Sequence, residues 1–197
     1  MINRIFFFFF LFVSIEFHAQ ETTAIYGNLW SNNQELTCNW YFKENHAVLE
    51  LIDVNEPNIA TKFHFLKDSK YIHVVSQTNS IVSRSQVHVD SIQGELKAIS
   101  LFQTGKPQEF DSFGMAKRHQ ARSTTVETIA YSVPFENLSI NLLTNKLKND
   151  PVLQWFSTNM ENEFPIHYMV TKINGELLIS YLASEYSTDF DQSIFSY

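Results

Sequence analysis

The stretch FPIHYMVTKINGELLISYLASEY, residues 164–186, decides the fold because it places Asn174-Gly175 between two runs of alternating residues. Asn-Gly tolerates the positive φ angles of a type I′ turn, so the stretch predicts a β-hairpin with a two-residue loop. On one face this register pairs Val170 with Ile179, Tyr168 with Tyr181 and Ile166 with Ala183. On the other face it pairs Thr171 with Leu178, Met169 with Ser180 and His167 with Leu182. The first face is apolar, whereas the second is neither a clean solvent face nor a clean core.

The N-terminus has the layout of a secretory signal peptide. Arg4 precedes an unbroken apolar run from Ile5 to Val13, and polar residues return by Glu16. The run is shorter than the ~20 residues that a membrane-spanning helix needs. We therefore expect residues 1–20 to be removed on export and residues 21–197 to form a single β-rich domain, placed in the periplasm or outside the cell.

The charge of the chain argues against a nucleic-acid partner. The formal net charge is −7, and the longest basic cluster is the triplet Lys117-Arg118-His119. Phosphate binding needs a concentrated basic surface, which this triplet does not supply. Cys38 is the only cysteine, so an intramolecular disulfide and a thiolate zinc site are both excluded. We expect Cys38 to be a small buried apolar residue.

Residues 22 to about 103 read as consecutive strands with period-two alternation, punctuated by short turns. The predicted strands are 23–30, 36–42, 46–54, 59–66, 70–77 and 80–89. A two-residue turn at Asp68-Ser69 would place Phe63, Phe65, Ile72 and Val74 on one face. The rhythm predicts an antiparallel meander rather than βαβ units.

A polar stretch, residues 103–124, separates this half from the second and is predicted to be a loop or lid. Its middle, Glu109 to His119, could form a short helix. Further strands are expected at 124–133, 137–144 and 152–158, followed by the hairpin. A short terminal turn could pack onto the sheet through Phe190, Ile194 and Phe195. Without long amphipathic helices, the sheet must cover its apolar face by curling into a half-barrel, barrel or sandwich.

Motifs for catalysis are scarce. There is no G-x-S-x-G elbow and no glycine-rich phosphate loop. His64 and His73 should lie opposite each other, but a third metal ligand is not evident, and the shortest next turn would place the cation Arg84 beside His73. We therefore expect no catalytic residues, no cofactor and no metal. An enzyme would need His64, His73 or His167 to converge with acids in a cleft.

The second half resembles a family of small secreted proteins of Gram-negative bacteria related to the lipoprotein-carrier (LolA/LolB-like) superfamily. The resemblance follows the order of four motifs: Thr125–Tyr131, Trp155–Thr158, Phe164–Ile166 before the Asn-Gly hairpin, and Asp191–Tyr197. It implies a strongly curved antiparallel sheet with an apolar concave face, partly closed by one or two short helices or a lid loop. In carriers of that superfamily the concavity holds acyl chains.

Two functions are compatible with these features. The first is a non-enzymatic exported protein that binds a lipid, an acyl chain or an acylated envelope protein. The second is a structural or protein-interaction module of the envelope whose core is filled. Either hairpin face could line the concavity, so the candidate ligand-binding residues are Tyr168, Val170, Ile179 and Tyr181 on one face and Met169, Leu178 and Leu182 on the other.

Overall fold

The computed structural model describes residues 22–31, 33–89, 102–134 and 163–197. The strands in these ranges are β1 Thr23–Ser31, β2 Gln34–Lys43, β3 His46–Asp53, β4 Ile59–Leu66, β5 Tyr71–Thr78, β6 Ile81–His88, β7 Phe102–Gln103, β8 Gln108–Phe110, β9 Gly114–Arg122, β10 Val126–Pro134, β11 Glu163–Lys172 and β12 Leu177–Ser187. A single 3-10 turn, Gln192–Phe195, follows β12, and no α-helix occurs within the described ranges. The fold is therefore mainly β, as predicted. The predicted signal peptide and the strands expected at 137–144 and 152–158 lie outside the described residues.

Eleven strands form one antiparallel sheet in the order β6-β5-β4-β3-β2-β1-β12-β11-β10-β9-β7, and β8 pairs with β9 alongside it. The path is made of two meanders that meet where β1 pairs with β12. This seam joins strands from opposite ends of the chain. The end strands β6 and β7 do not pair with each other in the described part of the chain, so the sheet is open.

The sheet curls strongly towards one face. Trp40 of β2 and Phe164 of β11 have ring centroids 6.3 Å apart, although β1 and β12 lie between these two strands. Neighbouring strands are ~4.8 Å apart, so three steps across a flat sheet would separate the two backbones by roughly 14 Å. Side chains on this face can meet only if the sheet bends around them. The structure thus has the predicted half-barrel curvature.

Bulges supply part of that bend. The strand registers shift between Tyr26 and Gly27, between Tyr131 and Ser132, and between Val170 and Thr171. Each bulge inserts an extra residue into one strand, which bends that strand and increases its twist. The concave face encloses the main hydrophobic core, to which Trp40, Phe42, Phe65, Phe164 and Tyr181 contribute the largest buried rings.

The hairpin prediction was correct for the faces and wrong for the turn. Tyr168 pairs with Tyr181 and Val170 with Ile179, as predicted, but Thr171 pairs with Leu177 rather than Leu178. Among the hairpin residues only Gly175 has a positive φ, +88°, and its amide donates to the Lys172 carbonyl at 2.8 Å. The loop therefore has three residues, a type I turn closed by glycine, and the bulge at Leu178 restores the register.

The prediction of a loop or lid over residues 103–124, with a short helix at Glu109 to His119, is also wrong, because strands occupy most of this segment. Strand β8 ends at Phe110, a short turn follows, and β9 begins at Gly114. The polar composition of this segment resembles a loop, but every residue of β9 from Lys117 to Arg122 has a partner in β10. These ladder hydrogen bonds, formed with a neighbouring strand rather than within the segment, override its weak helical preference.

Candidate functional site

An open apolar patch lies on the concave face beside the core. One cross-strand row over β2 to β5 is fully buried. It consists of Phe42, Ala47, Phe65 and Ile72. The next row begins with the buried Trp40 but continues with half-buried side chains. We define the open concave patch as the half-buried residues that pack against the core here: Leu29, Leu49, Leu51, Phe63 and Val74.

The alternation in strands β3 to β5 brings these side chains together. Leu49 pairs with Phe63, and Phe63 pairs with Val74, so the three stand side by side on adjacent strands. Directly paired residues have Cβ atoms ~5 Å apart. The result is a continuous apolar strip that the described residues cover only in part.

The structure decides which hairpin face is concave. Tyr181 belongs to the concave core at 2 % exposure, and Tyr168 packs against that core with its ring centroid 5.5 Å from that of Tyr181. Val170 and Ile179 pair on the same side of the hairpin, and Val170 is buried. Tyr168, Val170, Ile179 and Tyr181 therefore form the concave set.

The other candidates from the hairpin alternate with this set. Leu182 is 46 % exposed, and Met169 is half-buried opposite Ser180. Leu178 is half-buried at the bulge. In the described part of the chain, these three are not among the residues of the concave core. The open concave patch comes entirely from the first half of the chain and was not predicted as a site from the sequence. The alternation of Phe63 and Val74 was the available signal, but it did not reveal which face would be concave.

The C-terminal segment covers part of the convex face. Phe190 contacts Tyr41, with ring centroids 5.3 Å apart, and Phe195 contacts His46 at 5.1 Å. Asp191 caps the 3-10 turn by accepting from the Ser193 amide at 2.9 Å. The prediction that Phe190, Ile194 and Phe195 peg a terminal turn onto the sheet is confirmed.

Three histidines lie under this segment. His64 pairs with His73 as predicted, and His46 Nε2 lies 3.1 Å from His64 Nδ1. The Tyr197 ring covers His64 and His73, with centroids 4.9 and 4.8 Å away. Burial, ahead of neighbouring positive charges, lowers the pKa of both His46 and His64 to about 4. The pair is therefore neutral at pH 7.

The expected position of Arg84 was wrong. Arg84 pairs with Val75, and Gln86 stands opposite His73, where its amide nitrogen lies 3.2 Å from His73 Nδ1. The turn after β5 is therefore Asn79-Ser80, with Asn79 at φ +55°. No group of three or more histidine, cysteine, aspartate or glutamate side chains in the described ranges could hold a metal ion.

A carboxylate is also embedded in the convex face. Glu50 Oε2 accepts from the Tyr41 hydroxyl at 2.9 Å and from Asn39 Nδ2 at 3.3 Å. Lys62 Nζ lies 3.5 Å from Glu50 Oε1. Burial and then Glu50 raise the pKa of Tyr41. With three partners for one carboxylate, the cluster is best explained as a satisfied structural network.

A second buried polar network links β9, β10 and β11. Ser132 Oγ donates to Glu163 Oε2 at 2.6 Å, and Lys117 forms an ion pair with Glu163. His119 Nε2 lies 2.9 Å from Ser132 Oγ. Because the serine gives its one hydrogen to the carboxylate, His119 acts as donor to Ser132 rather than as its base. Sequence reasoning missed this network, which requires the pairing of three strands.

Cys38 is 3 % exposed, and burial raises the pKa of its thiol to about 12. The expectation of a buried apolar cysteine is confirmed, and the thiol is inert at neutral pH. No helix among the described residues is both long and apolar enough to span a membrane.

No family model matches the sequence, and no curated protein matches it either. Among solved structures, it is similar to an uncharacterized conserved protein from Thermus thermophilus, with a TM-score of 0.54, 10 % identity, and coverage of 91 % of this chain and 86 % of that one. It is also similar to a "putative outer membrane lipoprotein-sorting protein domain" from Vibrio parahaemolyticus, with a TM-score of 0.42, 7 % identity and 89 % of both chains covered. A DUF1329 family protein from Desulfovibrio piger gives a TM-score of 0.38, 7 % identity and 91 % coverage of both chains. The Thermus likeness shows the fold alone.

Proposed function

We propose that this protein is a non-enzymatic exported binder that holds a hydrophobic ligand, or the acyl chain of a partner, against the open concave patch. The observation that carries the proposal is the half-buried strip Leu49, Phe63 and Val74 beside a fully buried row on the same curved face. A concave, mostly apolar surface is the usual form of a small-molecule site.

The energetic argument concerns the surface that the patch leaves in water. Complete burial of a Leu-sized or Phe-sized side chain is favourable by about 2 kcal/mol relative to full exposure. Well under half of each of the five side chains is exposed, so covering the remainder would contribute at most roughly 3 to 4 kcal/mol, before the entropy of binding is subtracted. A flexible chain of methylene groups suits such a strip because it needs no polar partner along its length.

The polar clusters support the non-enzymatic part of the proposal. The Glu50 and Glu163 networks hold buried carboxylates whose oxygens are already engaged. In neither network does a nucleophile face a free base. The export part rests on the apolar run at residues 5–13. Kinship with the lipoprotein-carrier superfamily is proposed from the four ordered motifs together with the curved antiparallel sheet.

The test compares two neighbouring substitutions on β3. Leu51 and Ile52 are both half-buried, but Leu51 packs against the concave core, whereas Ile52 alternates to the convex side. Leu51→Gln should weaken binding of a fluorescent fatty-acid probe roughly tenfold, and Ile52→Gln should leave it unchanged. The protein should be purified after export from a bacterial host, and native mass spectrometry should show a co-purified lipid in the wild type.

A wild-type protein that emerges empty and binds no probe contradicts the proposal and favours the filled interaction module. Equal loss in both variants also contradicts it, because the effect would then be one of stability rather than of the concave surface.

A further inference from the structure

The hydroxyl of Tyr181 is a buried polar group without a hydrogen-bond partner among the described residues. Tyr181 is 2 % exposed, so bulk water does not replace the missing partner. Leaving a buried hydroxyl unsatisfied costs about 1 to 3 kcal/mol. Native structures keep few such groups, and each one calls for an explanation, of which a bound group is one.

Two other unpartnered buried atoms in the described ranges, Asn39 Oδ1 and His64 Nε2, differ from it in position and in chemistry. Both lie on the convex side, and each side chain already uses its other polar atom, Asn39 with Glu50 and His64 with His46. The Tyr181 side chain has only one polar atom, and no described residue forms a hydrogen bond with it.

Tyr181 also borders the open concave patch. It pairs with Leu29 of that patch on one side and with the half-buried Tyr168 on the other. Phe164 meets its ring edge-on at 6.4 Å. Tyr181 therefore lies on the concave face, at the border between the buried rings and the strip that a hydrophobic ligand would cover.

We propose that the Tyr181 hydroxyl donates a hydrogen bond to a neutral carbonyl oxygen of the ligand, so that the site selects acyl esters or amides over plain hydrocarbons. This inference rests on the proposed function, since it assigns the polar end of the same ligand.

The surroundings favour a neutral acceptor over a carboxylate. The groups with an electrostatic influence on Tyr181 are Cys38 and Tyr168, and neither is cationic. Burial raises the pKa of Tyr181 well above its ordinary range, so the phenol stays protonated and can donate. A carboxylate buried here would have no counter-charge among the described groups that act on Tyr181, and burying such a charge is costly, whereas an ester carbonyl carries no charge.

The experiment compares three probes of similar length: methyl laurate, laurate and tetradecane. Each displaces N-phenylnaphthylamine from wild-type protein, from Tyr181→Phe and from Tyr26→Phe. Tyr26 is the control because it carries the same hydroxyl on the convex side of β1, where it meets Tyr41 edge-on. Wild type should bind methyl laurate roughly tenfold more tightly than tetradecane, the equivalent of one neutral hydrogen bond.

Tyr181→Phe should bring that ratio to about one, with tetradecane affinity unchanged, whereas Tyr26→Phe should keep the wild-type ratio. Thermal unfolding without ligand should show Tyr181→Phe to be at least as stable as wild type, because the lost hydroxyl has no partner in the described protein.

The possible outcomes separate the two claims. If wild type binds none of the three probes, the proposed function fails and the inference fails with it. A second result is that wild type binds methyl laurate and tetradecane equally, or that Tyr181→Phe keeps the preference for methyl laurate. Either finding would show that the concave patch binds hydrophobic ligands but that Tyr181 does not form a hydrogen bond with the ligand's carbonyl oxygen. Tighter binding of laurate than of its methyl ester overturns the selection for a neutral acceptor.

Discussion

Gly27 should be the least replaceable glycine in the described sheet, because it lies where β1 meets β12. A Cβ added at Gly27 would lie 2.6 Å from the Leu182 carbonyl oxygen and 2.9 Å from Ala183 Cα. Both atoms belong to backbone of the partner strand, so neither can rotate away as a flexible side chain could. We expect Gly27→Ala to lower the free energy of unfolding by about 3 kcal/mol, the upper end of the usual cost of overpacking.

Gly175 provides the opposite case. Its φ is +88°, but an added Cβ would meet nothing within 4 Å. Gly175→Ala should therefore cost only about 1 to 2 kcal/mol, from the left-handed backbone conformation alone. Asparagine tolerates that conformation better than alanine does. Gly175→Asn should thus be milder than Gly175→Ala, whereas Gly27→Asn should be at least as harmful as Gly27→Ala.

Urea unfolding followed by far-ultraviolet circular dichroism measures all four variants. The order of stability should reverse between the two sites, since one is limited by space and the other by backbone angle. If Gly27→Ala lies within about 1 kcal/mol of wild type, or if both sites rank alanine and asparagine alike, the close approach of β1 to β12 does not hold and the reasoning is refuted.

Three further predictions concern the buried polar groups and the terminal segment. Because burial lowers the pKa of His46 and His64 from 6.5 to about 4, the unfolded chain binds more protons between these values. Above pH 6.5 this pair should therefore not affect the unfolding free energy, which should fall as the pH drops from 6.5 towards 4. Urea titrations at several pH values should show a shallower fall for His64→Asn than for wild type. Phe195→Ala should lower the free energy of unfolding by about 1 to 2 kcal/mol. It should also move the pKa of His46 back towards 6.5 in an NMR titration, and an unchanged pKa would exclude the Phe195 ring as a source of the burial of His46. Ser132→Ala should destabilise by about 1 to 3 kcal/mol in thermal unfolding, because Glu163 loses a buried donor, and a neutral effect would mean that the network is not a source of stability.

The register of the hairpin was predictable, but its turn was not. The pairing of Tyr168 with Tyr181 and of Val170 with Ile179 follows from the alternation of apolar residues. A slip of the register by one residue would expose all the apolar side chains of this face. The two-residue turn was wrong because Leu178 can bulge out of the ladder, which allows a three-residue loop without altering the faces. Local sequence constrains the side-chain faces more strongly than the loop that joins them.

The first meander was predicted almost residue by residue, whereas segment 103–124 was not. The strands from β1 to β6 have clear alternation and short turns, so their neighbours in sequence are also their neighbours in the sheet. Strand β9 has a polar sequence and becomes a strand because β10 supplies its ladder partners. Likewise, His46 contacts the ring of Phe195, which is far away along the chain.

By itself the sequence determined that the protein is an antiparallel β-protein, that Tyr168 and Tyr181 share an apolar face, and that Phe190 and Phe195 return to the sheet. Only the tertiary structure decided that this apolar face is the concave one, because that depends on the seam between β1 and β12 and on how far the sheet curls. Alternation distinguishes two faces of a strand, but it carries no information about which face the whole sheet bends towards.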